Sequence, residues 1–199
     1  MFVKVCGLST PESVLTAVAA GADAVGFVLT PSPRQVTPAV ARELLAHVPD
    51  GVAAVGVFRY EPAADAIALA RAGGLRWVQL HGDRTPADVR AVHDAGLKVI
   101  RAVTMAAGPD AFASWGEELL LIDAAVPGSG EAWDYASVLA KGLAGREWLL
   151  AGGLHPGNVA DAAVRAGAWG VDVSSGVEST RGVKDLAKIR EFVSSAKSP

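Results

Sequence analysis

Eight short runs of apolar and β-branched residues punctuate the chain, at residues 3–6, 24–28, 52–58, 77–80, 99–103, 119–122, 148–151 and 169–173. Their spacing of roughly 20–30 residues holds one strand and one crossover helix, and it limits the fold more than any other feature. Between the runs the apolar period turns helical. Val14, Leu15 and Val18 share a face, as do Val40, Leu44 and Val48, and Leu186, Ile189 and Val193. Thr10-Pro11, Thr37-Pro38 and Thr85-Pro86 each place a capping hydroxyl before a proline in the first helical turn. Gly21, Gly73, Gly96 and Gly167 stand where those helices should stop. The fifth and sixth units are less regular. Ala106-Ala107-Gly108-Pro109 followed by Trp115-Gly116 predicts a short or distorted helix after the fifth run.

Alternating units this apolar favour a parallel sheet covered by helices, in one domain spanning 1–199. An open doubly wound sheet normally carries a glycine fingerprint after its first strand, but Cys6-Gly7-Leu8-Ser9 holds one glycine. The last two units favour closure instead. Val171-Asp172-Val173-Ser174-Ser175-Gly176-Val177-Glu178 and Leu149-Leu150-Ala151-Gly152-Gly153 each end a strand in small residues. Backbone N–H groups bared there, with Gly176 free to take a positive φ, make an anion site. In an eight-stranded barrel a phosphate pocket lies after strands seven and eight. The expected fold is therefore a (β/α)8 TIM barrel. At 199 residues it must have mostly short loops.

A net charge of −3 and the lack of any Lys/Arg run exclude a nucleic-acid or membrane-surface partner. Met1-Phe2-Val3-Lys4-Val5 has no signal-peptide pattern, and no apolar run approaches a membrane span. The single cysteine excludes an internal disulfide and fits a reducing cytoplasm.

A barrel works at the C-terminal ends of its strands, and those ends supply Cys6, Arg34, His81, Asp123 and Asp172. Cys6 is either a small buried hydrophobe or a base or nucleophile, the latter requiring a favoured thiolate. Asp123 follows four apolar residues, where a carboxylate is costly unless it is paired or functional. Arg34 lies in the proline-stiffened loop Thr30-Pro31-Ser32-Pro33-Arg34-Gln35. It is an ordinary surface arginine or a bidentate clamp for a ligand carboxylate. His81 is a ligand contact or a satisfied strand-end histidine. Metal binding finds no support, because His47, His81, His93 and His155 lie in different units without ligand spacing. No GxxxxGK[ST] loop is present.

Together these residues resemble the phosphoribosylanthranilate isomerase family of tryptophan biosynthesis, nearly end to end. Lys4-Val5-Cys6-Gly7-Leu8-Ser9 is similar to its opening motif, with serine where threonine is usual. Gly21-Ala22-Asp23-Ala24-Val25-Gly26-Phe27, Ser32-Pro33-Arg34, Val55-Gly56-Val57-Phe58 and Val78-Gln79-Leu80-His81-Gly82 resemble units two to four. Leu121-Ile122-Asp123 with Gly128-Ser129-Gly130 and Trp133-Asp134-Tyr135 resembles the sixth, and the two glycine-rich strand ends the last two. His155 and Glu131 depart from the family pattern without touching Cys6 or Asp123.

The resemblance implies a barrel of the ribulose-phosphate-binding type and an Amadori rearrangement of N-(5-phosphoribosyl)anthranilate. It makes Asp123 the general acid, Cys6 the general base and Arg34 the holder of the anthranilate carboxylate. His81 and Asp172 become substrate contacts. Gly152, Gly153, Ser174, Ser175 and Gly176 become the phosphate site. It implies no cofactor or metal, a small phosphorylated substrate as the partner, and a cytoplasmic monomer or homodimer. Two other readings stay open: an indole-forming synthase on the same phosphate pocket, and a non-catalytic phosphate-binding barrel. The synthase needs a lysine inside the barrel; Lys4 can point inward, whereas Lys98 starts a strand at the wrong end.

Overall fold

The computed structural model describes residues 1–124, 133–143 and 145–198. The Gly128-Ser129-Gly130 stretch and Glu131 lie outside the described residues. Eight parallel strands close into a barrel in sequence order: β1 (Phe2–Cys6), β2 (Ala24–Val28), β3 (Ala53–Phe58), β4 (Trp77–Leu80), β5 (Lys98–Thr104), β6 (Leu119–Asp123), β7 (Trp148–Leu150) and β8 (Gly170–Val173). All eight apolar runs became strands, and no end moved by more than one residue. The shift at β6 matters, because Asp123 is its last residue and pairs in register with Thr104 of β5.

Helices α1 (Pro11–Ala20), α2 (Pro38–Leu45), α3 (Ala63–Ala72) and α4 (Pro86–Asp94) follow the first four strands, α5 (Val159–Ala166) the seventh and α6 (Leu186–Lys197) the eighth. Thr10 and Thr37 cap as expected, accepting from the N–H groups of Ser13 and Val40 at 3.2 Å each. At α4 Thr85 and Asp88 form a capping box, in which the Asp88 carboxylate accepts the Thr85 N–H at 2.7 Å and its hydroxyl at 2.9 Å. Gly73 keeps right-handed geometry at φ −80°, and Gly74 makes the left-handed turn. Leu15 is half exposed while Val14 is buried, so the inner face of α1 runs through Ser13, Val14 and Ala17.

The irregular units are those following β5 and β6. A single 3-10 turn at Pro109–Phe112 covers the outside of β5, and a 3-10 segment at Tyr135–Lys141 covers β6. After β8, a 3-10 turn (Ser175–Val177) leads into a small hairpin, β9 (Glu178–Thr180) and β10 (Val183–Lys184), that the sequence patterning did not reveal. Three residues and two residues are too few for a period-2 signal.

Strand alternation sorts the side chains into two apolar layers. Val3, Val5, Val78, Leu80, Leu120, Ile122, Val171 and Val173 pack outward against the helices. Ala24, Val55, Ile100, Ala102, Leu119, Leu121 and Leu149 fill the lower barrel. Their strand neighbours Lys4, Cys6, Gln79, Asp123 and Asp172 must then point inward. The upper interior of the barrel is thus polar, on an apolar floor.

Candidate active site

β1 carries two inward residues below the barrel mouth, Lys4 and, one step higher, Cys6. Lys4 is fully buried, and its Nζ donates to Asp172 Oδ1 at 2.7 Å from its register partner on β8. A buried ammonium is tolerated only with such a partner. Burial would lower its pKa, but Asp172 and Cys6 outweigh that and raise it. Cys6 is buried as well, beside Val28 and Val57. Burial pushes its thiol above the ordinary range; Lys4 and Lys184 pull it down and Asp172 adds to the rise.

Asp123 closes β6 on another arc of the mouth, separated from β1 by β7 and β8. Burial above the apolar strand pushes its carboxyl up to about 6, against a hydrogen bond from its neighbour's N–H (Ala124, 2.8 Å), with Asp172 adding to the rise. Among the described residues no cation pairs with it. A carboxyl held there is a proton donor near neutrality.

His81, half-buried past the end of β4, contacts the Gln79 amide nitrogen through Nε2. With the amide in that orientation the ring proton sits on Nδ1. Burial first, then the charges of Lys4, Arg59 and Arg84, hold its pKa down to about 3, so the ring is neutral at pH 7.

Beside Asp123 and Asp172 lies a small cavity of about 60 Å³ walled by residues 151–154 and 172–175. Among the described residues, the N–H groups of Gly152, Gly153, Ser175 and Gly176 carry no hydrogen bond. The structure therefore places Gly152, Gly153, Ser174 and Ser175 together as expected. Gly176 differs. Its φ is not positive, and it does not line the cavity. A Cβ there would stand 1.8 Å from the Leu154 carbonyl oxygen, so the residue is glycine because two strand-end loops touch at that point. Gly152 does take a left-handed φ of 82°, and its missing Cβ leaves room for the Asp123 carboxyl.

Arg34 reaches the mouth from the loop after β2, but its fork is already engaged. Nε and Nη2 donate to the two Glu178 carboxylate oxygens at 2.5 and 3.0 Å. Glu178 also accepts from Lys184 Nζ and from the Gly182 N–H, each at 3.0 Å. Burial alone would raise the Glu178 carboxyl; Arg34, Gly182 and Lys184 bring it down to about 2. A ligand carboxylate is left the Nη1–Nη2 edge of Arg34, not the whole fork. Lys184 in turn holds the Ser174 carbonyl at 2.7 Å and its hydroxyl at 3.3 Å.

Glu178 and Lys184 thus brace Arg34 and the Ser174 loop, and sequence reasoning gave neither a role. Glu178 stood inside a quoted motif, but Lys184 lies in a hairpin that has no periodic signal. A larger cavity of about 340 Å³ lies beside His81, where the outer cover of β5 is thin. Arg59, Thr104 and Trp115 help to line it; Cys6, Arg34 and Asp123 do not. Among the described residues no group of three or more His, Cys, Asp or Glu is placed to hold a metal ion, and no helix is long and apolar enough to cross a membrane.

Known proteins share this fold and much of this sequence. The family model described as N-(5'phosphoribosyl)anthranilate (PRA) isomerase matches residues 3–195. The N-(5'-phosphoribosyl)anthranilate isomerase of Paracoccus denitrificans is 46% identical, over 99% of this chain and 97% of that protein. The crystal structure of phosphoribosyl anthranilate isomerase from Thermus thermophilus superposes with a TM-score of 0.90 at 36% identity, covering 98% of each chain. Another phosphoribosyl anthranilate isomerase was solved in complex with reduced 1-(o-carboxyphenylamino)-1-deoxyribulose 5-phosphate. It matches with a TM-score of 0.87 at 35% identity, over 99% of this chain and 98% of that one. In fold and in sequence over nearly its whole length, the chain belongs to the N-(5'-phosphoribosyl)anthranilate isomerase family.

Proposed function

We propose that Cys6 and Asp123 are the base and acid of the family's reaction, the Amadori rearrangement of N-(5-phosphoribosyl)anthranilate in tryptophan biosynthesis. The carrying observation is a carboxyl held at about 6, with no cation paired to it among the described residues, and a thiol on separate strand ends of one polar mouth. Asp123 gives its proton to the furanose ring oxygen as the C1–O bond breaks, leaving a Schiff base. Cys6 thiolate then takes the proton from C2. The C–H electron pair forms the C1=C2 bond as the C=N π pair moves onto the protonated Schiff-base nitrogen and neutralises it, and the resulting enolamine tautomerises to the 1-deoxyribulose.

Two anchors hold the sugar between these groups. The N–H groups of Gly152, Gly153 and Ser175 take the phosphate; the free edge of Arg34 takes the anthranilate carboxylate. Gly176 serves by letting the two loops meet. The Nδ1–H of neutral His81 donates to the substrate, while Asp172 meets the sugar hydroxyls. A relative solved with the reduced product phosphate supports a substrate of this shape. The single cysteine accords with a cytoplasmic location.

Phosphoribosylanthranilate is fluorescent, and its loss on isomerisation gives the test. A serine hydroxyl is a weaker acid than a thiol by several pK units and supplies almost no anion near neutrality, so Cys6→Ser should lower kcat by roughly 100-fold or more and leave KM nearly unchanged. Turnover close to that of the unaltered protein would remove Cys6 from the mechanism.

A further inference from the structure

The mechanism needs negative charge on a thiol that is buried, and it does not yet say what balances that charge. Burial among Val28 and Val57 opposes a thiolate. The groups facing Cys6 are few. Lys4 lies below it on the same strand, Asp172 projects from β8, and Lys184 reaches in from β10. Lys184 is committed to Glu178 and to both oxygens of Ser174. Lys4 is anchored on Asp172, and its position two residues before Cys6 on one strand points both side chains into the barrel.

We propose that Lys4 is a positioning residue for the proton abstraction: its buried ammonium, anchored on Asp172, is the counter-ion that stabilises negative charge on Cys6 Sγ. Asp172 has a double part. It keeps the ammonium charged and in place, and its own charge opposes the thiolate, so the pair sets a balance that neither residue sets alone. The same ammonium also acts on His81 and Asp123, disfavouring a charged imidazole and favouring the carboxylate. A fully buried lysine inside a barrel costs desolvation, and an ammonium that steadies the thiolate and keeps His81 neutral gives that cost a purpose.

The inference rests on Cys6 being the base, and its test is chosen to separate the two. Cys6 is the only cysteine, so its alkylation by iodoacetamide, followed by mass at several pH values, reports its thiolate fraction directly and without turnover. Lys4→Met keeps the length and removes the charge. It should slow alkylation at pH 8 by roughly 10-fold, a displacement of about one pH unit in the thiolate curve. Asp172→Asn should move the curve the opposite way, speeding alkylation several-fold, and Lys4→Arg should stay near the unaltered rate. Opposite shifts are the signature of charge, because a role in packing alone would move both variants in one direction. Lys4→Met should also lower kcat near pH 7, with KM nearly unchanged.

Unmoved alkylation in Lys4→Met and Asp172→Asn, or slowing in both, would overturn the proposal. Should Lys4→Met fail to fold, the direction of the Asp172→Asn shift decides. A shifted alkylation curve with unchanged kcat would instead overturn the assignment of Cys6 as base and leave the Lys4 coupling standing.

Discussion

Asp123 and Cys6 titrate in an unusual order, and that order fixes the pH dependence of the reaction. Burial brings the acid to about 6 and carries the base above the ordinary thiol range. The reactive form needs Asp123 protonated and Cys6 ionised, so it is a minor species whose share is greatest between the two values. A plot of kcat/KM against pH should rise through about 6 and fall again above the thiol value. The alkylation rate of Cys6 should grow along the upper limb. Thiolate appearing along the lower limb would reverse the assignment of the two limbs. The types and places of these two residues were legible in the sequence, because a strand-end carboxylate after four apolar residues has few structural uses. The state of Arg34 was not. Its partner Glu178 is distant in the chain, and only the folded loop shows the fork engaged on its Nε–Nη2 side.

The β7 and β8 loops act as one element, joined where Gly176 meets Leu154. A side chain at 176 would collide with backbone, and neither loop has slack to yield. Gly176→Ala should therefore destabilise the protein by about 1–3 kcal/mol, the range for overpacking, and weaken phosphate binding with it. Gly108 makes the control, since a Cβ there has nothing within 4 Å and its φ is −63°. Gly108→Ala should leave Tm within about a degree, as surface changes usually do. Equal losses in the two variants would separate Gly176 from the loop contact. The strand pattern was readable because each strand is predominantly apolar, the mark of a sheet covered by helices. The 3-10 segments after β5 and β6 were readable as irregular, through Gly108-Pro109. The β9–β10 hairpin was not, because its fixing contacts are made by Glu178 and Lys184 to other parts of the chain.

Across the whole molecule, one carboxylate ties the second unit to the last. Glu178 joins Arg34, Lys184 and the Gly182 N–H, and its carboxyl is lowered from 4.5 to about 2. A depressed carboxyl contributes stability that is present above its unfolded value and lost as pH falls through the folded one. About 3 kcal/mol should thus disappear between pH 4.5 and 2, and urea unfolding of Glu178→Gln should lack that part of the acid dependence. The same tie fastens the loop after β2 to the loop after β8, through Glu178 and Lys184, and so fixes where Arg34 stands relative to Ser174. The most direct measurement is turnover and product-analogue affinity of Asp123→Asn, side by side. The substitution keeps the shape of the side chain and removes its proton, so kcat should fall by roughly 100-fold or more while the analogue's Kd stays within about threefold. Turnover near that of the unaltered protein would contradict the acid–base assignment at its centre.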